Sequence, residues 1–220
     1  MREPGACEET PMSRYEAVIL DFDGVLVDSE AIKVEAFRQL YSPYGADIAE
    51  KAVAYHRKNF GISRFIKFKH IHENFLNLPY DESVGKSFGE RFSSMVETSV
   101  IEAEWVPGAK EFVESFYNTI PLFIASGTPH EELLRILHRR GIRKYFKEAR
   151  GSPKTKSQII GDYVGRYGFS KEKVLMVGDS LADYAGAKEA GVGFLFVSQT
   201  EEGPQPRIPD LKLLPSIVKY

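Results

Sequence analysis

The sequence predicts an α/β fold in which a parallel sheet carries helices on both faces and a helical segment is inserted after the first strand. Three observations predict it. Short apolar runs at Ala17–Phe22, Leu122–Ala125, Val174–Val177 and Phe194–Val197 lack polar alternation, as strands buried on both faces do. Amphipathic helical stretches separate the later runs, and this alternation implies parallel pairing. From Ser29 to Glu104 no comparable strand signal recurs.

In chain order, Ala17–Phe22 is β-rich and apolar and reads as the first strand. Helices are expected near Glu30–Tyr41, Ile48–Lys58, Ser63–Leu76 and Ser83–Glu104, separated by Gly45, Gly61 and Asn77-Leu78-Pro79. Pro107-Gly108 then opens a helix over Ala109–Tyr117. Leu122–Ala125 is the second strand, followed by a helix over Pro129–Arg140 that Gly141 ends. A short strand at Glu148–Arg150 precedes a helix at Thr155–Tyr167. Strand Val174–Val177, helix Leu181–Ala190 and strand Phe194–Val197 complete the pattern. Residues 1–28 and 105–220 are accordingly assigned to the α/β core, and residues 29–104 to the insertion. Trp105 and Pro107 flank the return to the core and are expected to pack at a hinge.

Composition narrows the function classes. The 220 residues suffice for a large core, and 43% hydrophobic with 27% charged residues is ordinary for a globular protein. A formal net charge of -2 does not suggest a nucleic-acid binder. No segment approaches the length of a membrane-spanning helix. Cys7 is the only cysteine, which excludes an internal disulfide and fits a reducing compartment. Met1–Arg14 is polar, contains Pro4, Gly5 and Pro11, and lacks the apolar core of a secretory signal; a frayed end and a cytoplasmic location are expected.

The chemistry concentrates at strand ends, where open α/β sheets bind ligands. The first strand runs into Asp21 and Asp23, one residue apart and followed by Gly24. Two buried carboxylates are costly unless a cation or proton compensates them, and a divalent metal is the simplest compensation. Asp28 and Ser29 read as a helix cap at the entry to the insertion. The second strand ends in Ser126-Gly127-Thr128-Pro129. Thr128 and Glu131 have the spacing of a capping box, which leaves Ser126 and Gly127 as a hydroxyl and a free amide suited to phosphate. The third strand leads to Lys154 and Lys156. Lys156 would open a helix capped by Thr155 and Gln158, where a cation makes sense beside a bound anion. Lys156 is favoured as the phosphate-binding lysine, with Lys154 the alternative. The fourth strand ends in Gly178-Asp179-Ser180-Leu181-Ala182-Asp183. Ser180 and Asp183 fit a capping box; Asp179 falls outside it and is a candidate metal ligand, with Asp183 a further site residue.

With these residues in this order, the chain resembles the haloacid dehalogenase-like hydrolases, in particular the phosphoglycolate phosphatase and β-phosphoglucomutase-like branch. The resemblance rests on Asp21-Phe22-Asp23-Gly24-Val25-Leu26-Val27-Asp28-Ser29, Ile124-Ala125-Ser126-Gly127-Thr128, a lysine at 154 or 156, and Val177-Gly178-Asp179-Ser180-Leu181-Ala182-Asp183. It implies a Rossmann-like core, a helical cap domain over the insertion, and a Mg²⁺-dependent phosphatase of small phosphorylated metabolites. Asp21 would attack phosphorus to form an aspartyl-phosphate, and Asp23 would act as acid and then base. Asp21, the Asp23 backbone carbonyl and Asp179 would hold Mg²⁺ with support from Asp183. Ser126, Gly127 and the lysine would bind the phosphoryl oxygens.

The acid at Asp23 disfavours dehalogenation, which protonates no alkoxide. A phosphomutase is the enzymatic alternative; the resemblance weakens it, because mutase-like members often carry a lysine after the serine of the second motif and none follows Ser126 here. A non-catalytic binding protein is the remaining class, and the intact acids argue against it. In the insertion, Arg57–His72 is basic and contains no acid. Arg64 and Lys67 share a helix face and are candidates for contacting a polar or anionic substrate, the alternative being a solvated basic face. His56, His70 and His72 read as surface or cap-packing residues, not metal ligands.

Overall fold

The computed structural model describes residues 13–200 and 202–219. Most of the stretch expected to be frayed, with Cys7, lies outside the described residues. Ser13 and Arg14 do not fray: the Ser13 hydroxyl and the Arg14 amide both donate to the Val218 carbonyl, at 3.0 and 3.1 Å.

Among the described residues, six strands form one parallel sheet: β1 (Ala17–Leu20), β2 (Leu122–Pro129), β3 (Glu148–Ser152), β4 (Val174–Gly178), β5 (Gly193–Val197) and β6 (Arg207–Ile208). Their order is β3-β2-β1-β4-β5-β6, so the winding reverses around β1. Such a reversal opens a crevice at the carboxyl ends of the strands, where the candidate residues lie. Strand side chains alternate between the faces. Val18, Leu20, Leu122, Ile124, Leu175 and Val177 join one buried cluster, while Ala17, Ile19, Phe123, Ala125, Val174 and Met176 join the other. The second cluster is closed by Ile159, Ile160 and Tyr163 of α7 (Lys156–Tyr167), with Ala187 of α8 (Leu181–Ala190). Burial on both faces is why these strands are apolar throughout.

The insertion supplies α1 (Glu30–Tyr41), α2 (Ala46–Lys58), α3 (Arg64–Ile71) and α4 (Glu82–Glu102). They pack around an aromatic centre: Phe37 meets Phe92 edge-on at 5.0 Å and Phe68 at 5.7 Å. The helix expected to run to Leu76 changes pitch after Ile71, forming a π-helical turn that Asn77 ends in a left-handed conformation. Core helices α5 (Ala109–Phe116), α6 (His130–Arg139) and α9 (Leu214–Lys219) complete the molecule. β6 was not expected from the sequence; two residues cannot show a period.

The two chain segments that cross between core and insertion run side by side. Asp28 N–H donates to Glu104 O, Val106 N–H donates to Leu26 O, and Val27 bridges Trp105. Arg140, just past α6, donates to the carbonyls of Val100, Ile101 and Ala103 and so closes the carboxyl end of α4. Its guanidinium also lies over the Trp105 ring at 5.4 Å. Among the described residues no helix is long and apolar enough to cross a membrane.

Candidate active site

Asp21 continues the ladder of β1, its amide donating to Val177 O at 2.9 Å. The chain then coils through one turn, with the amides of Leu26 and Val27 donating to Phe22 O. Gly24 sits in this turn at φ 75°. A Cβ there would lie 1.9 Å from Asp179 Oδ2, so both the dihedral and the space require glycine.

The carboxylate oxygens of Asp21, Asp179 and Asp183 lie within 4.8 Å of one another. Lys156 stands against them, with Nζ 2.6 Å from Asp21 Oδ2 and paired also to Asp183. Asp183 is held by its expected capping box with Ser180. One ammonium does not neutralise these acids. Burial and Asp183 push the Asp21 carboxyl up to about 7 despite Lys156. Burial and Asp21 raise Asp179 well above the usual carboxylate range. Glu30, which no sequence argument singled out, lies against Asp179 and is raised by burial. A cluster of oxygen donors with surplus negative charge fits a hard divalent cation.

Asp23 points elsewhere. Of the residues expected at the metal, its side chain alone stays out of the carboxylate cluster. Its Oδ1 accepts from Ser29 Oγ at 2.6 Å, and its Oδ2 accepts from Thr128 Oγ1 at 2.9 Å and pairs with Lys33. Burial alone would raise this carboxyl, yet Lys33 and the two hydroxyls hold it below the usual value. These contacts overturn two capping expectations. Ser29 precedes α1 but makes no side-chain cap bond, because its hydroxyl serves Asp23. Thr128 and Glu131 form no capping box: β2 runs on through Pro129, α6 starts at His130, and the Thr128 hydroxyl is committed to Asp23. Lys33 was missed, although one helical turn beyond Ser29 places it on the same face.

Ser126 is buried, its Oγ accepting from the Thr128 amide at 3.1 Å, and Gly127 lines the cavity above Asp21. The two lysines separate cleanly. Lys156 is in the carboxylate cluster, whereas Lys154 is half exposed and bound to Asp162. The Thr155–Gln158 capping box forms as expected and aims Lys156 inward. Gly61 of the insertion closes over this centre. A Cβ on Gly61 would lie 3.2 Å from Lys156 Nζ, and one on Gly127 would lie 2.6 Å from Gly61 O. The remaining cavity is about 50 Å³, space for roughly three or four waters.

Arg64 and Lys67 are both buried, so neither lies on a solvated basic face. Arg64 is committed to the core: its guanidinium donates to both oxygens of Glu132, at 2.6 and 3.0 Å, and lies over Phe92 at 4.5 Å. Glu132, on α6, was not recognised in the sequence because it sits among other acids and arginines. Arg64→Ala would leave Glu132 buried without its partner and should destabilise the protein by about 3–5 kcal/mol, read from denaturant unfolding. Lys67 contacts His56, and both line the cavity. His56 therefore belongs to the cavity wall as well as to the packing of the insertion. His70 stacks on Tyr55 and His72 packs edge-on to Phe88, as packing residues do.

A family model described as haloacid dehalogenase-like hydrolase matches residues 15–191. A Thermotoga maritima protein described as a phosphorylated carbohydrates phosphatase is 30% identical over 193 residues, spanning 80% of this chain and 82% of that one. A Haemophilus somnus protein assigned as a phosphoglycolate phosphatase shares the fold with a TM-score of 0.73 at 18% identity, covering 94% of this chain and 99% of its own. A Bacillus subtilis protein assigned to the same hydrolases, solved with magnesium and described as revealing interdomain movement, gives 0.72 at 20% identity, covering 94% of this chain and 100% of its own. With the family model spanning most of the chain, this protein belongs to the haloacid dehalogenase-like hydrolases.

Proposed function

We propose that the protein is a Mg²⁺-dependent phosphatase that hydrolyses a small phosphate monoester through an aspartyl-phosphate at Asp21, acting in the cytoplasm. The observation that carries this reading is the cluster of buried Asp21 and Asp183 with half-buried Asp179, facing Lys156, with Asp23 held separately beside it. Asp21, the Asp23 carbonyl and Asp179 would hold the cation, Asp183 supporting them. When bound, Mg²⁺ supplies charge neutralisation that lets a carboxylate approach an anionic phosphate.

Asp21 attacks phosphorus in line while Lys156, Ser126 and the Gly127 amide take up the equatorial oxygens. Asp23 must first take up a proton; it then gives that proton to the leaving oxygen and recovers one from the attacking water. Lys33 lies on the insertion, so opening withdraws from Asp23 the cation that lowers its proton affinity. Opening would also admit the substrate, since Gly61 of the insertion lies over Gly127 and Lys156. Residues 29–104 act as the moving cap, and the paired segments at Val27–Asp28 and Glu104–Val106 are its hinge. The named Thermotoga maritima relative supports a phosphorylated metabolite as substrate. No lysine follows Ser126, so nothing in the loop favours a mutase.

Phosphate release from an aryl phosphate should fall by on the order of 10²-fold or more when EDTA removes divalent ions, and return with Mg²⁺. Undiminished release in EDTA would refute the metal assignment.

A further inference from the structure

Among the described residues, the cavity wall contains one cation that has no acid to pair with. Lys33 is paired with Asp23 and Arg64 with Glu132. Lys67 is 3% exposed and, among the described residues, makes no salt bridge. Its Nζ lies 2.9 Å from His56 Nδ1 and 5.7 Å from the Phe37 ring centre. An ammonium donating to Nδ1 places the His56 proton on Nε2, and that atom is buried without a hydrogen-bond partner. His56 cannot swing away to find one. It is stacked on Phe37 at 4.2 Å and meets Phe60 edge-on at 5.0 Å.

An unpaired ammonium and an orphaned N–H buried together form an incomplete site, because each loses water and gains no acceptor. Burial drives the Lys67 ammonium down to about 7 and holds His56 neutral, so the pair gains from an arriving negative charge. The rest of the insertion's wall is poor in groups that hold sugar hydroxyls. Phe37, Phe60, Ile62 and Phe92 are apolar, while Glu30 and Lys33 face Asp179 and Asp23.

Resting on the phosphatase reading, we infer that Lys67, braced by His56, receives a second anionic group of the substrate. The preferred ester is then a short phosphate with a carboxylate or another phosphate at its far end, rather than a neutral sugar phosphate.

The test compares 2-phosphoglycolate, ethylene glycol bisphosphate and 2-hydroxyethyl phosphate on the wild-type enzyme with Mg²⁺. At least one of the two anion-tailed esters should exceed the neutral one in kcat/KM by on the order of 10²-fold. Which of the two leads distinguishes a carboxylate from a phosphate tail. Lys67→Met should collapse the ratio chiefly through KM, and Lys67→Arg should restore part of it. A neutral ester or a neutral sugar phosphate turned over as well as both anionic ones would overturn the inference, as would an unchanged ratio in folded Lys67→Met. Release from an aryl phosphate, lost in Asp21→Asn, reports separately on the phosphatase reading.

Discussion

Asp21→Asn should lower kcat/KM for phosphate release by about 10⁴-fold or more, because an amide cannot replace the attacking carboxylate. The substitution is nearly isosteric. It keeps the oxygen that accepts from the Phe22 amide at 2.6 Å, and the backbone bond from residue 21 to Val177 O is untouched. The lost pair with Lys156 is offset by relief of the repulsion among Asp21, Asp179 and Asp183, so the variant should still melt cooperatively, which separates lost chemistry from lost structure. Steady-state release from an aryl phosphate, with a thermal melt on the same sample, checks both. Activity within tenfold of wild type would remove Asp21 from the chemistry.

Lys156→Met should damage both activity and stability. Lys156 Nζ reaches Asp21 and Asp183, and all three side chains are almost fully buried. Methionine preserves most of the volume but leaves these acids facing Asp179 without their cation. Breaking such a buried pair costs about 3–5 kcal/mol, and on the proposed mechanism losing a donor to the phosphoryl group costs a further ~10²–10³-fold in kcat. Because the acids also fit a divalent cation, millimolar Mg²⁺ should recover part of the lost melting temperature by binding the folded state. Lys154→Met is the matched control: its solvent-screened pair with Asp162 should contribute little to stability. If the Lys156 and Lys154 variants behaved alike, the lysine assignment would fail.

The strands and the order of site residues were legible because they obey strong local rules. Burial on both faces leaves β1 and β4 apolar throughout, and the abrupt arrival of Asp21 and Asp179 at their ends breaks the run. The boxes at Thr155 and Ser180 formed because their hydroxyls had no better partner. At Ser29 and Thr128 the same residue types failed to cap, since each hydroxyl found the Asp23 carboxylate instead. Local spacing cannot register that competition; only the tertiary approach of α1 and β2 to Asp23 creates it. Glu132 and His56 were hidden for the same reason. Their partners, Arg64 and Lys67, are 68 and 11 residues away in sequence, and the pairing follows from the insertion folding onto α6 and from α2 packing beside α3.

Covalent attack by Asp21 is tested most directly by rapid-quench mass spectrometry. Wild-type enzyme is mixed with Mg²⁺ and excess aryl phosphate, quenched in acid within one turnover, and digested. A phosphoryl adduct should appear on the peptide containing Asp21, decay in step with phosphate release, and be absent in Asp21→Asn. Turnover by the wild type with no adduct at any time, or with the adduct on another residue, would contradict the mechanism.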